Sequence, residues 1–106
     1  MGIFDFFKRV DINTGVQEFQ QTKDAVLLDV RTSGEYREGH IPGSKNLDVS
    51  RIRNAGSVIR DKHTPLFVYC YSGSRSAQAT SVLKSMGYTN VNNIGGISGW
   101  RGKIER

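Results

Sequence analysis

Two short apolar runs constrain this chain more than any other feature. Ala25-Val26-Leu27-Leu28-Asp29-Val30 and Leu66-Phe67-Val68-Tyr69-Cys70 lack the polar alternation of a half-exposed strand. A strand that is apolar on both sides must be covered on both sides, which is the habit of parallel strands flanked by helices. Their length argues against helices. Ser44 to Asp48 and Tyr88 to Ile94 read as further strands. Helical spacing lies between these runs, so the expected fold class is α/β: a mostly parallel sheet of about five short strands with helices on both faces. At 106 residues the chain fits one domain.

The helices follow from spacing and caps. Asp11 to Thr14 supplies capping chemistry for a helix with Ile12, Val16 and Phe19 on its apolar face. Ser33 is expected to cap a short helix carrying Glu35, Tyr36 and Arg37, which Gly39-His40-Ile41-Pro42-Gly43 stops. Ser50 is expected to cap a helix through Arg60, anchored by Ile52, Val58 and Ile59. Ala77, Thr80, Val82, Leu83 and Met86 give another helix, with Gly87 as its C-cap. Gly95-Gly96 reads as a loop, and Ile97 to Trp100 as a final helical turn. Residues 1–10 read as a capping segment and 11–106 as the domain.

Composition narrows the partners. The formal net charge of +5 favours anionic ligands, but the lysines and arginines are scattered. No dense basic run points to nucleic acid, and no stretch has the apolar length of a membrane span. Met1 to Arg9 lacks the pattern of a secretory signal. A single cysteine leaves no internal disulfide and no cysteine-cluster metal site. With two histidines far apart, no metal site is expected. The expected compartment is cytoplasmic.

That cysteine, Cys70, lies between a strand end and a helix start, in Cys70-Tyr71-Ser72-Gly73-Ser74-Arg75-Ser76. Backbone N–H groups can converge there, and the positive end of the helix dipole points into the turn. Those fields favour thiolate over thiol. Parallel sheets bind ligands outside the carboxyl ends of their strands. Asp29 and Arg31 lie at a second such end and are expected at the same rim. Asp29 reads as an acceptor for loop N–H groups; Arg31 pairs with Glu35 or lines the rim. His40, in its glycine-bounded turn, reads as a structural hydrogen-bonding residue, His63 as solvated and Trp100 as packing.

Leu28-Asp29-Val30-Arg31 with Glu35-Tyr36, followed by Gly39-His40-Ile41-Pro42-Gly43-Ser44-Lys45-Asn46-Leu47, resembles the first signature of the rhodanese family. The Cys70 to Ser76 turn resembles that family's active-site loop, and Gly95-Gly96-Ile97-Ser98-Gly99-Trp100 its closing segment. The matches appear in family order and cover most of the chain. Ser44 replaces a commoner alanine, and Arg101-Gly102-Lys103 replaces a proline-containing ending.

The resemblance implies a single-domain rhodanese fold and a sulfurtransferase in which Cys70 carries sulfane sulfur as a persulfide, with no cofactor. A small anionic donor such as thiosulfate, or a persulfide, would load it, and cyanide or a thiol would accept the sulfur. Tyr71, Ser72, Gly73, Ser74, Arg75 and Ser76 would form the substrate loop, with Asp29 and Arg31 in support. Four residues separate Cys70 from Arg75. Related cysteine phosphatases carry one more there, so this shorter ring suits a single sulfur atom. The alternatives are a protein-directed sulfur relay, a non-catalytic binding module on the same fold and, disfavoured by the loop length, a small phosphatase.

Overall fold

Residues 11–106 are described by a computed structural model. The proposed capping segment therefore lies outside the described residues. The two apolar runs become the central strands, β1 (Val26–Asp29) and β3 (Leu66–Cys70). β2 (Ser44–Asn46) and β4 (Val91–Gly96) flank them in the parallel order β2-β1-β3-β4. The sheet has four strands among the described residues, against about five expected. Past β4 no further apolar run exists. The chain makes a 3-10 turn at Ile97–Gly99 and ends in exposed residues, with one antiparallel bridge between His40 and Glu105.

Alternation along β3 divides the core. Leu66, Val68 and Cys70 join one apolar layer; Phe67 and Tyr69 join the other. α3 (Ser74–Ser85) and a 3-10 helix at Val49–Ser57 cover the first layer through Ala79, Leu83, Ile52 and Ala55. α1 (Ile12–Gln21) covers the second through Ile12 and Val16. Each fully buried large apolar side chain contributes about 1.5–3 kcal/mol, so both layers are needed to hold the sheet. No helix among the described residues is long and apolar enough to cross a membrane.

Several local expectations shift. Thr32, not Ser33, caps α2 (Ser33–Glu38). Its hydroxyl accepts from Glu35 N–H, and the Glu35 carboxylate accepts from Thr32 N–H, a reciprocal pair that Ser33 cannot form. Asp48 replaces Ser50 as the cap of the 3-10 helix. The helix ends at Ser57, short of the expected Arg60; Ile52 is buried within it, and beyond its end Ile59 is buried while Val58 is exposed. In α3 the buried positions are Ser76, Ala79, Thr80 and Leu83, while Ala77 is exposed. The helix starts inside the cysteine turn, and Ser76 is drawn inward by polar contacts. Gly87 has φ +104° and sits one residue beyond the C-cap Met86. Gly95 and Gly96 belong to β4 rather than to a loop. A bulge there passes from the Val68–Asn93 pair to the Tyr69–Gly95 pair, and the glycines let the strand pass close beneath the turn after Cys70.

Candidate active site

The strand order sets the site. From β1 the chain goes to one side to form β2 and to the other to form β3, so a crevice opens at their carboxyl ends. Asp29 pairs in register with Tyr69, which puts the ends of β1 and β3 side by side. Cys70 and the Asp29–Arg31 segment thus share one rim.

Cys70 has no exposed surface. Its sulfur is nevertheless not enclosed by hydrocarbon alone, since the Gly73 N–H donates to Sγ across 3.0 Å. Gly73 reaches this position with φ +106°, a left-handed conformation open to glycine, and stands as the N-cap of α3. No side chain caps that helix end. Burial pushes the thiol pKa up. The Ser76 hydroxyl, with the N–H groups of Ser76, Gly73 and Ser72, pulls it further down, and the balance lies below the ordinary thiol value. Tyr71 and Ser72 on the turn are exposed, as is Ser74. The Tyr71 carbonyl accepts from Ser98 N–H at 3.0 Å, which ties the turn to the closing segment.

Arg75 is held by Glu35 of α2 through two bonds of 2.7 and 3.1 Å. The guanidinium, its backbone and hydroxyl neighbour Thr32, and partial burial set the Glu35 carboxyl at about 2: Arg75 lowers it most, burial opposes, and Thr32 adds to the lowering. Arg75 in turn is raised by the same pair. In this structure its charge braces the loop against α2. Arg31 pairs with Asp29, not Glu35. The buried Asp29 carboxylate accepts from Arg31 N–H at 2.9 Å and from its guanidinium at 2.7 and 3.1 Å. Arg31 also donates to the Gly39 carbonyl at 2.7 Å, linking β1 to the Gly39–Gly43 turn. Arg31, Glu35, Glu38, Gly39 and Tyr71 line a cleft of about 270 Å³ beside the cysteine turn.

His40 is engaged structurally: its Nδ1 lies 2.8 Å from the Tyr36 carbonyl and its ring stacks on Tyr36 at 3.7 Å. His63 is exposed, and Trp100 packs against the α1 layer. Three residues near the turn have roles there that the sequence did not assign. Glu35 was legible as the second half of a Thr-x-x-Glu capping box, but its partner Arg75 lies 40 positions away. Asn93 contacts Ser76 and Gly73 from β4. Gly96 backs Tyr71 and Ser72 closely. Neither of the last two carries a local signal of its role.

A buried sulfur that faces backbone donors at a helix start can hold negative charge. The family model of the rhodanese-like domain matches residues 13–103. This chain belongs to the rhodanese family. It is 35% identical over 71 residues to the thiosulfate sulfurtransferase PspE of Escherichia coli, a match covering 66% of this chain and 68% of that protein. It is 31% identical over 105 residues to the thiosulfate sulfurtransferase GlpE of Pseudoalteromonas translucida, covering 94% and 98%. Of three curated relatives, the chain spans about a quarter of one and about two thirds of the other two. Among solved structures, a rhodanese with anions from E. coli superposes with a TM-score of 0.72 at 30% identity, over 77% of this chain and 98% of that one. The rhodanese fold is thus common to both, and the four-stranded parallel sheet with its helices is this member's version of it.

Proposed function

We propose that this rhodanese is a sulfurtransferase that carries sulfane sulfur as a persulfide on Cys70. The Cys70 thiolate attacks the outer sulfur of thiosulfate. A bond forms between Sγ and that sulfur, the donor's S–S bond breaks, and its electron pair leaves with sulfite. An acceptor nucleophile, cyanide or a thiolate, then attacks the outer sulfur, and Cys70 departs as thiolate. The electrons balance without any outside oxidant or reductant, and the scheme calls for no metal or cofactor.

The observation that supports this reading best is the Gly73 N–H aimed at Sγ from a left-handed glycine at the start of α3. Fixed donors of this kind stabilise developing charge without reorganisation. In this reading the N–H groups from Tyr71 to Ser76 surround the charged sulfur, and the exposed Ser72 and Ser74 hydroxyls meet donor oxygens. Arg75 keeps the loop in shape through Glu35, and Asp29 with Arg31 holds the rim. Incubation with thiosulfate followed by intact mass is expected to show one added sulfur on the wild type and none on Cys70→Ser. No adduct with thiosulfate or with a persulfide donor sinks the reading.

A relay between proteins is favoured by one feature: the turn that follows the buried Cys70 borders a cleft through Tyr71, which is 55% exposed. A partner could supply the contacts a small donor lacks. Faster loading from a protein persulfide than from thiosulfate supports the relay; the opposite order rejects it.

A further inference from the structure

Asp29 and Tyr69 are in register, and Arg31 and Tyr71 each stand two residues further on, so the loops after β1 and β3 share one rim. The cleft of about 270 Å³ lies there, lined by Arg31, Glu35, Glu38, Gly39 and Tyr71. Only 6% of the Arg31 side chain is exposed. Its Nε and Nη2 donate to Asp29, and Nη2 also donates to the Gly39 carbonyl. The guanidinium lies 5.9 Å from the centre of the Tyr69 ring, which supports it from one side. Nη1 has no hydrogen-bond partner among the described residues. It is not sealed either, since the Thr80 hydroxyl is the one side-chain polar atom among those residues that is both enclosed and unpartnered. Nη1 is therefore a fixed donor that opens to the cleft.

Charge decides what that donor can receive. Asp29 offsets the charge of Arg31, and Glu35 offsets that of Arg75. Glu38 is exposed, and its carboxylate has neither hydrogen bond nor ion pair among the described residues. Arg106 donates to the Glu38 carbonyl at 2.9 Å, not to the carboxylate, and does not line the cleft. A simple anion on Nη1 would face the free carboxylate of Glu38. A simple cation beside Glu38 would leave Nη1 unused. A zwitterion satisfies both, with its carboxylate on Nη1 and its ammonium toward Glu38. The two groups are close, because Nη2 bonds the carbonyl of the residue that follows Glu38.

We propose that Arg31 Nη1 and Glu38 form an acceptor subsite for a zwitterionic thiol, an α-amino acid whose side chain carries the thiol. This rests on the function proposed above, whose acceptor it specifies. With the amino-acid head held, the thiol gives its proton to solvent and the thiolate attacks the outer sulfur of the Cys70 persulfide. A bond forms between those two sulfurs, the S–S bond to Sγ breaks, and its electron pair leaves with Cys70 as thiolate. The product is the persulfide of the amino acid. Sites for drug-sized ligands hold about 300–1,000 Å³, so a cleft of about 270 Å³ suits a molecule as small as an amino acid. Tyr71, next to Cys70 in the chain, brings the cleft to the cysteine turn. Thiosulfate has no ammonium and gains nothing from Glu38.

The test loads Cys70 with sulfur, adds one acceptor at a time and follows loss of the added sulfur by quenched intact mass. Cysteine and cysteamine share the ammonium and have thiols of similar acidity, but only cysteine has the carboxylate. Wild type is expected to favour cysteine by about 3–10-fold in kcat/KM, the worth of one charged contact in a partly open site; equal rates overturn the proposal. Glu38→Gln is expected to lower transfer to cysteine and cysteamine alike by about 3–10-fold. It is expected to leave mercaptoethanol within about twofold and not to slow mercaptopropionate, which carries the carboxylate alone. An equal effect on all four acceptors, nil included, or slower loading from thiosulfate overturns the proposal. Arg31→Lys keeps a cation opposite Asp29 but has no Nη1. Where its thermal midpoint shows it folded, the preference for cysteine over cysteamine must vanish, and a preference retained overturns the proposal. The wild-type comparison and Glu38→Gln decide the matter if that variant does not fold. A wild type that takes sulfur neither from thiosulfate nor from a persulfide donor overturns the function and this subsite with it. One that loads, then unloads without regard to acceptor charge, overturns the subsite alone.

Discussion

One chemical change at three glycines separates loop geometry from stability. A Cβ on Gly96 lies 2.6 Å from both Ser72 Cα and the Tyr71 carbonyl carbon, and closer still to the Tyr71 oxygen. Ordinary contact begins at 3.4 Å, so the turn after Cys70 must move by most of an ångström. The obstacle is backbone and cannot swing aside. Gly96 has φ −131°, so alanine meets no conformational strain and the effect is steric alone. Overpacking of this kind costs about 1–3 kcal/mol. For a domain of about this size each kcal/mol lowers the thermal midpoint by roughly 4–8 °C. A displacement near 1 Å in a positioned group lowers rate by about 100-fold. Gly96→Ala is therefore expected to lose several degrees of stability and most of its persulfide formation from thiosulfate.

The controls make this refutable. A Cβ on Gly15 meets the Ile94 side chain, with Cγ2 at 2.5 Å, on the far layer of the sheet. Gly15→Ala is expected to lose comparable stability while keeping sulfur loading within about threefold, a change of under 1 kcal/mol in barrier. A Cβ on Gly56 meets nothing within 4 Å. Gly56→Ala is expected to leave the loading rate unchanged and to hold or raise stability by about 0.4–1 kcal/mol. The rates are measured by quenched intact mass at a temperature where all three variants are folded. Wild-type loading in Gly96→Ala, or an equal loss in Gly15→Ala, refutes the claim that strand β4 sets the loop's position.

Arg31→Met strands the fully buried Asp29 carboxylate, and urea denaturation is expected to show a loss of about 3–5 kcal/mol; a loss under about 1 kcal/mol contradicts the bracing role. Glu35 is depressed from 4.5 to about 2 on folding. Its contribution is full above about pH 4.5 and is lost as pH falls toward 2. The shift alone sets an upper bound of about 3 kcal/mol, and screening of a pair one-third exposed reduces this to about 1 kcal/mol. The stability gap between wild type and Glu35→Gln must narrow across that acid window; a gap independent of pH contradicts it. Tyr69→Phe removes the hydroxyl that accepts from the buried Ile41 N–H at 3.1 Å and donates to Ser44 at 3.2 Å. A cost of about 1–3 kcal/mol is expected by thermal denaturation, and a neutral result excludes that bond as a support of the Gly39–Gly43 turn. Alkylation of Cys70 must reach its half-maximal rate below the pH of a free cysteine, because the folded thiol is lowered; a midpoint at or above it excludes net stabilisation of the thiolate by the turn.

The central strands, the order of elements and the cysteine turn were legible because they depend on near neighbours in the chain. An apolar run of a strand's length, a glycine before a helix and a cysteine between them are local patterns. Caps were legible in kind, and they slipped by one residue at Thr32 and by two at Asp48, since several adjacent polar residues compete for one cap. On α3 apolar spacing found Thr80 and Leu83, with Val82 and Met86 packed at the edge of the core; it erred at Ala77 and missed Ser76, because apolar spacing cannot register a polar residue buried by polar partners.

Sequence alone determined that a lone sulfur stands at the junction of a buried strand and a helix start, since both elements are written in consecutive residues. Tertiary structure alone decided what surrounds that sulfur. Arg75 meets Glu35 across 40 positions, Ser76 meets Asn93 across 17, and Gly96 passes under Tyr71. Such contacts depend on strand order, register and one bulge. These emerge when two apolar layers close on the sheet together, and no local pattern of residues encodes them.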